Sequence, residues 1–422
     1  MKILWSSNYF FPEVSSALGE PTVVHGGWML ALAQDVVAAG QTLAVAALYK
    51  GRTVRKIQGE KITYYLLPGL VKSRYLYDRA LLTHWKAVLE DFVPDVVHIH
   101  GTEYAYGLPL AQAAKGKSIP TVVSIQGMIS VYERHYLAGI PPLAAAFTRT
   151  LLDNLRFTGM LEGRNRFRVR SKYEWALLRQ VRHVMGRTLW DYANTRAINP
   201  DMVYHLCQES LRDPFYAGGW SLSTMERHTI FCSQATYPVK GLHILLEALH
   251  ILRRDIPDVR LMVAGPDVTG GSGWKSRLRR TGYGKYLSRL IGRYGLRDCV
   301  TFTGSLGAEQ MAARMARAHV FTLNSSIENS PNSLGEAQLM GTPCVAAYVG
   351  GVPDMVTDGV DGLLYNYQEP AILAERLRAL MSDDALAERL SQGGRASACK
   401  RHDRQRNLQA VLDTYERVRS QP

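Results

Sequence analysis

Short runs of β-branched and aliphatic residues alternate with helix-length amphipathic stretches along nearly the whole chain, and this alternation restricts the fold more than any other feature. Strands are predicted at Lys2–Trp5, Thr42–Leu48, Ile62–Leu67, Val96–Ile99, Thr121–Ile125 and His183–Met185. A second set is predicted at Thr229–Cys232, Arg260–Ala264, Val300–Thr303, Val320–Leu323, Cys344–Ala347 and Gly362–Leu364. Helical periodicity covers Gly27–Ala39, Arg79–Phe92, Gly241–Arg254 and Ala308–Ala316 between them. Strands that alternate with helices build parallel sheets covered on both faces. Twelve such strands would make an unusually wide single sheet, so two doubly wound, Rossmann-like α/β domains facing a cleft are expected. Pro214, Gly218 and Gly219 interrupt the pattern within Asp213–Glu226, which places the join there. The expected domains are residues 1–222 and 223–395. Residues 396–422 form a helical tail, ending in the helix Gln405–Val418, that returns toward the first domain.

The 422 residues can bury two cores without metal or disulfide staples. Five scattered cysteines, odd in number and never in a C-x-x-C pair, argue against a disulfide framework or zinc site and for a reducing compartment. The longest apolar-looking stretch, Leu30–Leu48, is broken by Gln34, Asp35, Gly40 and Gln41, and the apolar run at Met1–Ser7 is too short for a secretory signal. A soluble cytoplasmic protein is expected. The formal net charge of +13 points to anionic partners.

In open parallel sheets, ligands bind beyond the carboxyl ends of the strands. Three segments in such positions carry candidate chemistry. Gly26 and Gly27 precede a helix and let backbone N–H groups approach an anion. Tyr237-Pro238-Val239-Lys240-Gly241 opens another helix, where a lysine opposes the helix dipole unless an external anion is expected. The third, Glu328-Asn-Ser-Pro-Asn332-Ser333-Leu-Gly335-Glu336-Ala337, puts one acid in a loop and a second in the following helix. Asn332 and Ser333 suit helix caps beside a diphosphate, and a carboxylate such as Glu336 can accept hydrogen bonds from the vicinal hydroxyls of a ribose. Gly350-Gly351-Val-Pro353-Asp354 is explained by a turn alone.

In order along the chain, Pro-x-Lys-Gly, Val-Ala-Gly-Pro at 263–266, Phe-Thr-Gly at 302–304, Glu-x7-Glu-Ala followed by Gly-Thr-Pro, and Gly-Gly-Val-Pro-Asp resemble glycosyltransferase family 4. In the first half the resemblance runs through Gly26-Gly27, Asp95-Val-Val-His98-Ile-His100-Gly101 and Ser124-Ile125-Gln126-Gly127. It implies the GT-B fold and a retaining transferase that moves a hexose-type sugar from a UDP- or GDP-sugar to a glycan or lipid-linked acceptor, with no tightly bound metal or cofactor. By the same resemblance Glu336 would grip the donor ribose, Lys240 would neutralise the diphosphate and Glu328 would face donor-sugar hydroxyls. Backbone N–H groups at Asn332, Ser333, Gly26 and Gly27 would hold sugar and phosphates. Two departures stand out. Gln234 occupies a position where many members have arginine, so phosphate binding rests on Lys240 alone or recruits Arg187. Gln126 occupies a position where many have histidine, so either that histidine is dispensable or His135 replaces it. His98 is expected in the core and His100 at the lip of the cleft.

Arginines from Arg149 to Arg187 interleave with Leu, Phe, Val and Trp. This basic amphipathic stretch, 149–187, suits docking to anionic lipid at the inner face of the plasma membrane, where a lipid-linked acceptor would be presented. A second basic stretch runs Lys275–Arg293. Two other classes compete. A sugar-nucleotide epimerase would need acid/base carboxylates such as Glu103 and Glu133, and a nucleic-acid binder would exploit the charge but lacks any finger, RRM-like or helix-turn-helix pattern.

Overall fold

The structure is a computed structural model that describes residues 1–20, 27–69, 75–271 and 280–421. It divides into two compact units. The first comprises Met1–Val131, Arg166–Ser210 and His402–Pro422, and the second Tyr132–Asn165 and Leu211–Arg401. The join thus falls at Leu211 rather than residue 223, and 132–165 leaves the N-terminal unit. Hydrogen bonds explain that transfer. The Ala138 carbonyl accepts from His243 Nε2 at 2.8 Å and from the Tyr367 hydroxyl at 3.0 Å, and the His135 carbonyl accepts from Ser326 Oγ at 3.0 Å.

The N-terminal unit is built on β1 (Lys2–Ser7), β2 (Thr42–Tyr49), β3 (Arg55–Gln58), β4 (Thr63–Pro68), β5 (Val96–His100), β6 (Thr121–Ser124), β7 (His183–Gly186) and β8 (Val203–Leu206). They form one sheet in the order β3-β4-β2-β1-β5-β6-β7-β8. All pairs are parallel except β3 with β4. Ile3 pairs with Leu43 on one side and Val96 on the other, so the central strands are apolar on both faces and helices cover each. Two of the covering helices are Arg79–Phe92, capped by Asp78 accepting from the Ala80 N–H, and the C-terminal helix Arg404–Ser420, capped by Asp403.

That last helix seats Val411, Tyr415 and Val418 in the core that contains Ile3, Trp5 and Val45. Trp5 Nε1 donates to the Tyr415 hydroxyl at 2.9 Å, and this hydroxyl lies 2.7 Å from His98 Nδ1. Burial holds His98 well below the usual imidazole range, so its ring is neutral. Tyr415→Phe strips buried Trp5 Nε1 and His98 Nδ1 of their common partner and is expected to cost about 2 kcal/mol in denaturant unfolding; an unchanged midpoint would contradict this role for the hydroxyl.

The C-terminal unit contains β9 (Glu226–Cys232), β10 (Arg260–Val263), β11 (Val300–Phe302), β12 (Ala318–Leu323), β13 (Cys344–Ala347) and β14 (Leu363–Tyr365). The sheet order is β11-β10-β9-β12-β13-β14, parallel throughout. Strand order reverses direction where β9 meets β12, and loops leaving the carboxyl ends of such a pair diverge to opposite faces and open a crevice. The corresponding point in the N-terminal unit is β1 with β5.

Candidate active site

Both loops that leave the β9–β12 switch point carry charged side chains. After β9 the chain makes a single turn, Pro238–Lys240, and reverses at Gly241 with φ 65° before the helix Leu242–Leu252. Glycine is required there, because a Cβ would overlap the Asn324 carbonyl oxygen. Asn324, just past β12, returns a hydrogen bond from Nδ2 to the Lys240 carbonyl at 2.5 Å. The two loops are thereby fixed side by side. Lys240 Nζ lies 2.6 Å from Glu328 Oε1, with both side chains largely buried, and 5.8 Å from the Tyr237 ring centroid. Burial pulls the Lys240 ammonium down, but the Glu328 carboxylate more than offsets it and the pKa is raised, so the lysine is a cation at pH 7.

The Gly350-Gly351 turn backs this loop. Gly351 N–H donates to the Glu328 carbonyl at 3.0 Å, and Gly350, at φ 54°, has no space for a Cβ beside the same oxygen. A segment that sequence reasoning explained as a turn therefore positions Glu328.

The helix Asn332–Met340 follows, and its cap is Pro331, with no side-chain cap bond. Asn332 and Ser333 are thus the first helical residues rather than caps. Their N–H groups stand in the first turn, where the dipole favours an anion. Glu336 is buried on this helix, and Arg212 engages it with Nε 2.7 Å from Oε1 and Nη2 2.8 Å from Oε2. The Arg212 guanidinium also covers the Phe215 ring at 4.8 Å. Burial raises the Glu336 pKa and Arg212 holds it partly down. Sequence reasoning did not single out Arg212. It precedes the turn Asp213–Ala217, with no motif around it.

In the N-terminal unit the segment after β6 is held by four charged side chains. Glu103 Oε1 accepts from Gly127 N–H at 3.0 Å, and Glu174 accepts from Ile129 N–H at 3.0 Å, Ser130 N–H at 2.9 Å and Thr102 Oγ1 at 2.8 Å. Gln126 Nε2 donates to Glu209 Oε1 at 2.5 Å. Arg187 meets Glu209 Oε2 at 2.6 Å and donates to the carbonyl of Ile125 at 3.1 Å. Arg187 is buried in this pair, as Lys240 largely is in its pair with Glu328. Glu209 and Glu174 were not singled out from sequence; neither carries a local signature.

Burial pushes the Glu174 pKa up to about 7. The folded chain then holds this proton more tightly than the unfolded one. Its contribution to stability is fully present below the ordinary carboxyl value and is lost as pH rises through 7. The stability of wild type minus that of Glu174→Gln should fall by about 3 kcal/mol between pH 4 and 8. Unfolding at a series of pH values checks this, and a flat difference would contradict it.

Other candidates are placed as follows. His98 and His100 are both buried, with ring centroids 3.7 Å apart, and burial pushes His100 down to about 3. His100 and Ser124 line a cavity of about 30 Å³ with Gln208 and Glu209. The His135 side chain is exposed at the end of the helix Ile129–His135, and its described hydrogen bonds are made by its backbone. No described contact puts its ring in the place of the family histidine. Gly27 begins the helix Gly27–Ala38, whereas Gly26 lies outside the described residues, as do Lys275, Arg277 and Arg279 of the second basic stretch. Of the two acids an epimerase would call on, Glu103 accepts from Gly127 N–H through Oε1 and Glu133 lies 3.5 Å from Arg164.

The sequence matches two family descriptions, Glycosyl transferases group 1 over residues 221–397 and Glycosyl transferase 4-like domain over residues 28–158. A D-inositol 3-phosphate glycosyltransferase from Streptomyces avermitilis is 37% identical over 161 residues, which is 38% of this chain and 33% of that protein. The same-named protein of a Nocardioides species is 32% identical over 190 residues, 44% of this chain and 40% of its own length. The match therefore spans about a third to two fifths of these relatives. A sucrose-phosphate synthase structure from Thermosynechococcus elongatus superposes with TM-score 0.71 at 16% identity over 100% of both chains. Anabaena HepE in complex with UDP and glucose superposes with TM-score 0.67 at 17% identity over 99% of both chains.

Proposed function

We propose, because this chain belongs to the family 4, group 1 glycosyltransferases and has the GT-B fold, that it transfers a hexose-type sugar with retention from a UDP- or GDP-sugar to a glycan or lipid-linked acceptor. The observation that carries this reading is the Lys240–Glu328 pair on the loops that leave the β9–β12 switch point, with buried Glu336 on the helix that follows. Lys240 exchanges its carboxylate partner for the donor diphosphate. The N–H groups of Asn332 and Ser333 and the positive end of their helix receive the remaining charge, and the leaving group is stabilised without a bound metal. Glu336, oriented by Arg212, accepts from the ribose hydroxyls. Glu328, once released by Lys240, accepts from hydroxyls of the donor sugar.

In the reaction the bond from the sugar C1 to the phosphate oxygen breaks. The acceptor hydroxyl oxygen bonds C1 on the same face, and its proton passes to the departing phosphate oxygen. Gln126 donates a hydrogen bond and cannot titrate near neutral pH, so it orients a reacting sugar and transfers no proton. UDP is the first donor nucleotide to try, since the similar fold of Anabaena HepE is seen in complex with UDP-glucose. The acceptor side is assigned to a hydroxyl presented at the inner face of an anionic membrane, reached through residues 149–187. Incubation with UDP- and GDP-hexoses, following nucleoside diphosphate release and the anomeric NMR signal of the product, tests the reading. Release with the donor's anomeric configuration kept is expected; an inverted product, or no release with any donor, would sink it.

A further inference from the structure

Among the described residues, the five most exposed large apolar side chains are Phe147 and Leu151 at 75%, Leu143 at 73%, Leu155 at 71% and Phe157 at 70%. All five lie on or beside two short consecutive helices, Pro142–Phe147 and Leu151–Arg156. What these helices bury is small or polar. Ala145 is buried, Asp153 is buried and closes a capping box with Thr150, and Thr158 Oγ1 donates to Asp153 Oδ1 at 3.1 Å. The large apolar groups thus face solvent while a carboxylate faces inward, the reverse of what burial selects. Large exposed apolar side chains gathered on two consecutive short helices mark a place where something else covers them.

Charge identifies the cover. Between Pro141 and Leu161 the only carboxylate is the buried Asp153, and the basic residues of that stretch are Arg156 and Arg149, the latter paired with Glu162 at 2.7 Å. Lys285 adds a further cation, with Nζ 3.4 Å from the Arg149 carbonyl. Apolar side chains interleaved with cations, the one partly exposed acid beside them being the Glu162 that pairs with Arg149, have the composition of an interfacial helix that meets acyl chains with one set and lipid phosphates with the other. The arginines nearby on the helix Met160–Leu178 are partly spent. Arg164 faces Glu133, and Arg170 bonds the Glu103 carbonyl and stacks on Phe167.

We propose that the helices carrying Leu143 to Phe157 insert into the surface of a bilayer rich in anionic phospholipid. This deepens the membrane reading above and rests on it for its biological purpose, but it moves the anchor from the arginine face to two short apolar helices. Co-sedimentation of the full chain with vesicles tests it, using phosphatidylcholine alone or with about 30% phosphatidylglycerol. Binding to the anionic vesicles is expected, and Phe147→Ser/Leu151→Ser/Leu155→Ser should reduce the partition coefficient by at least about tenfold. A triple variant that binds like wild type would overturn the proposal. So would a wild type that binds no vesicle, and if that chain forms a dimer lost in the triple variant, the surface belongs to a second copy. Thermal stabilisation by UDP and GDP, measured on the same preparations, keeps the two readings apart. Its retention in the triple variant shows an intact fold, and its absence in wild type would count against the donor site without touching the docking result.

Discussion

Replacing Lys240 by alanine is expected to lower kcat/KM for sugar transfer by about a thousandfold, because it removes the side-chain cation proposed to stabilise the departing diphosphate. It should also destabilise the protein by about 3 kcal/mol, since Glu328 keeps its buried position with no counter-charge. The two effects separate in a double variant. Lys240→Met/Glu328→Gln removes both buried charges, so most of the stability should return while the activity does not. Recovery of activity in the double variant would show that the lysine acts only by neutralising Glu328. Full stability in the single variant would show that Glu328 finds solvent or another partner.

Glu336→Gln is expected to raise the donor Kd by about a hundredfold, the equivalent of about 3 kcal/mol for two charge-assisted hydrogen bonds to the ribose. Alanine at this position would leave the partly buried Arg212 guanidinium without its carboxylate. Glutamine is the better probe, keeping one acceptor for Arg212. The pH dependence has a definite sign. Burial raises the Glu336 pKa, so donor binding should weaken as pH falls through that raised value, while this group's own contribution to stability grows in the same direction. Arg212→Ala removes the influence that holds the pKa down and should move the midpoint of the donor-binding profile to higher pH. A profile identical to wild type would mean that Arg212 does not set the charge of Glu336.

What could be read from sequence was what repeats at short range. Central strands such as Cys344–Ala347 are buried on both faces and spell continuous apolar runs, so they stood out. Arg55–Gln58 did not, because an antiparallel edge strand with exposed Arg55, Lys56 and Gln58 has no apolar face to display. Val203–Leu206 is short and at the opposite edge, with Leu206 exposed. Lys240, Glu328 and Glu336 could be picked out because each follows a strand end within a local motif. Their partners could not. Arg212 meets Glu336 across 124 residues of chain, and Arg187 meets Glu209 only once β7 and the segment after β8 lie together. The apolar surface at Leu143–Phe157 escaped for a different reason: periodicity marks an apolar helix face, and only the fold shows whether anything covers it.

The central claim is that the C-terminal unit holds a nucleoside diphosphate on Lys240, Glu336 and the first turn of the helix Asn332–Met340. Thermal unfolding of wild type and Glu336→Gln with UDP, GDP and ADP, without added metal, tests it most directly. At a hundred times its dissociation constant the correct nucleotide should stabilise wild type by about 2.7 kcal/mol, and at the same concentration it should stabilise Glu336→Gln far less. Equal stabilisation of both proteins, or none of wild type by any of the three, would contradict the assignment.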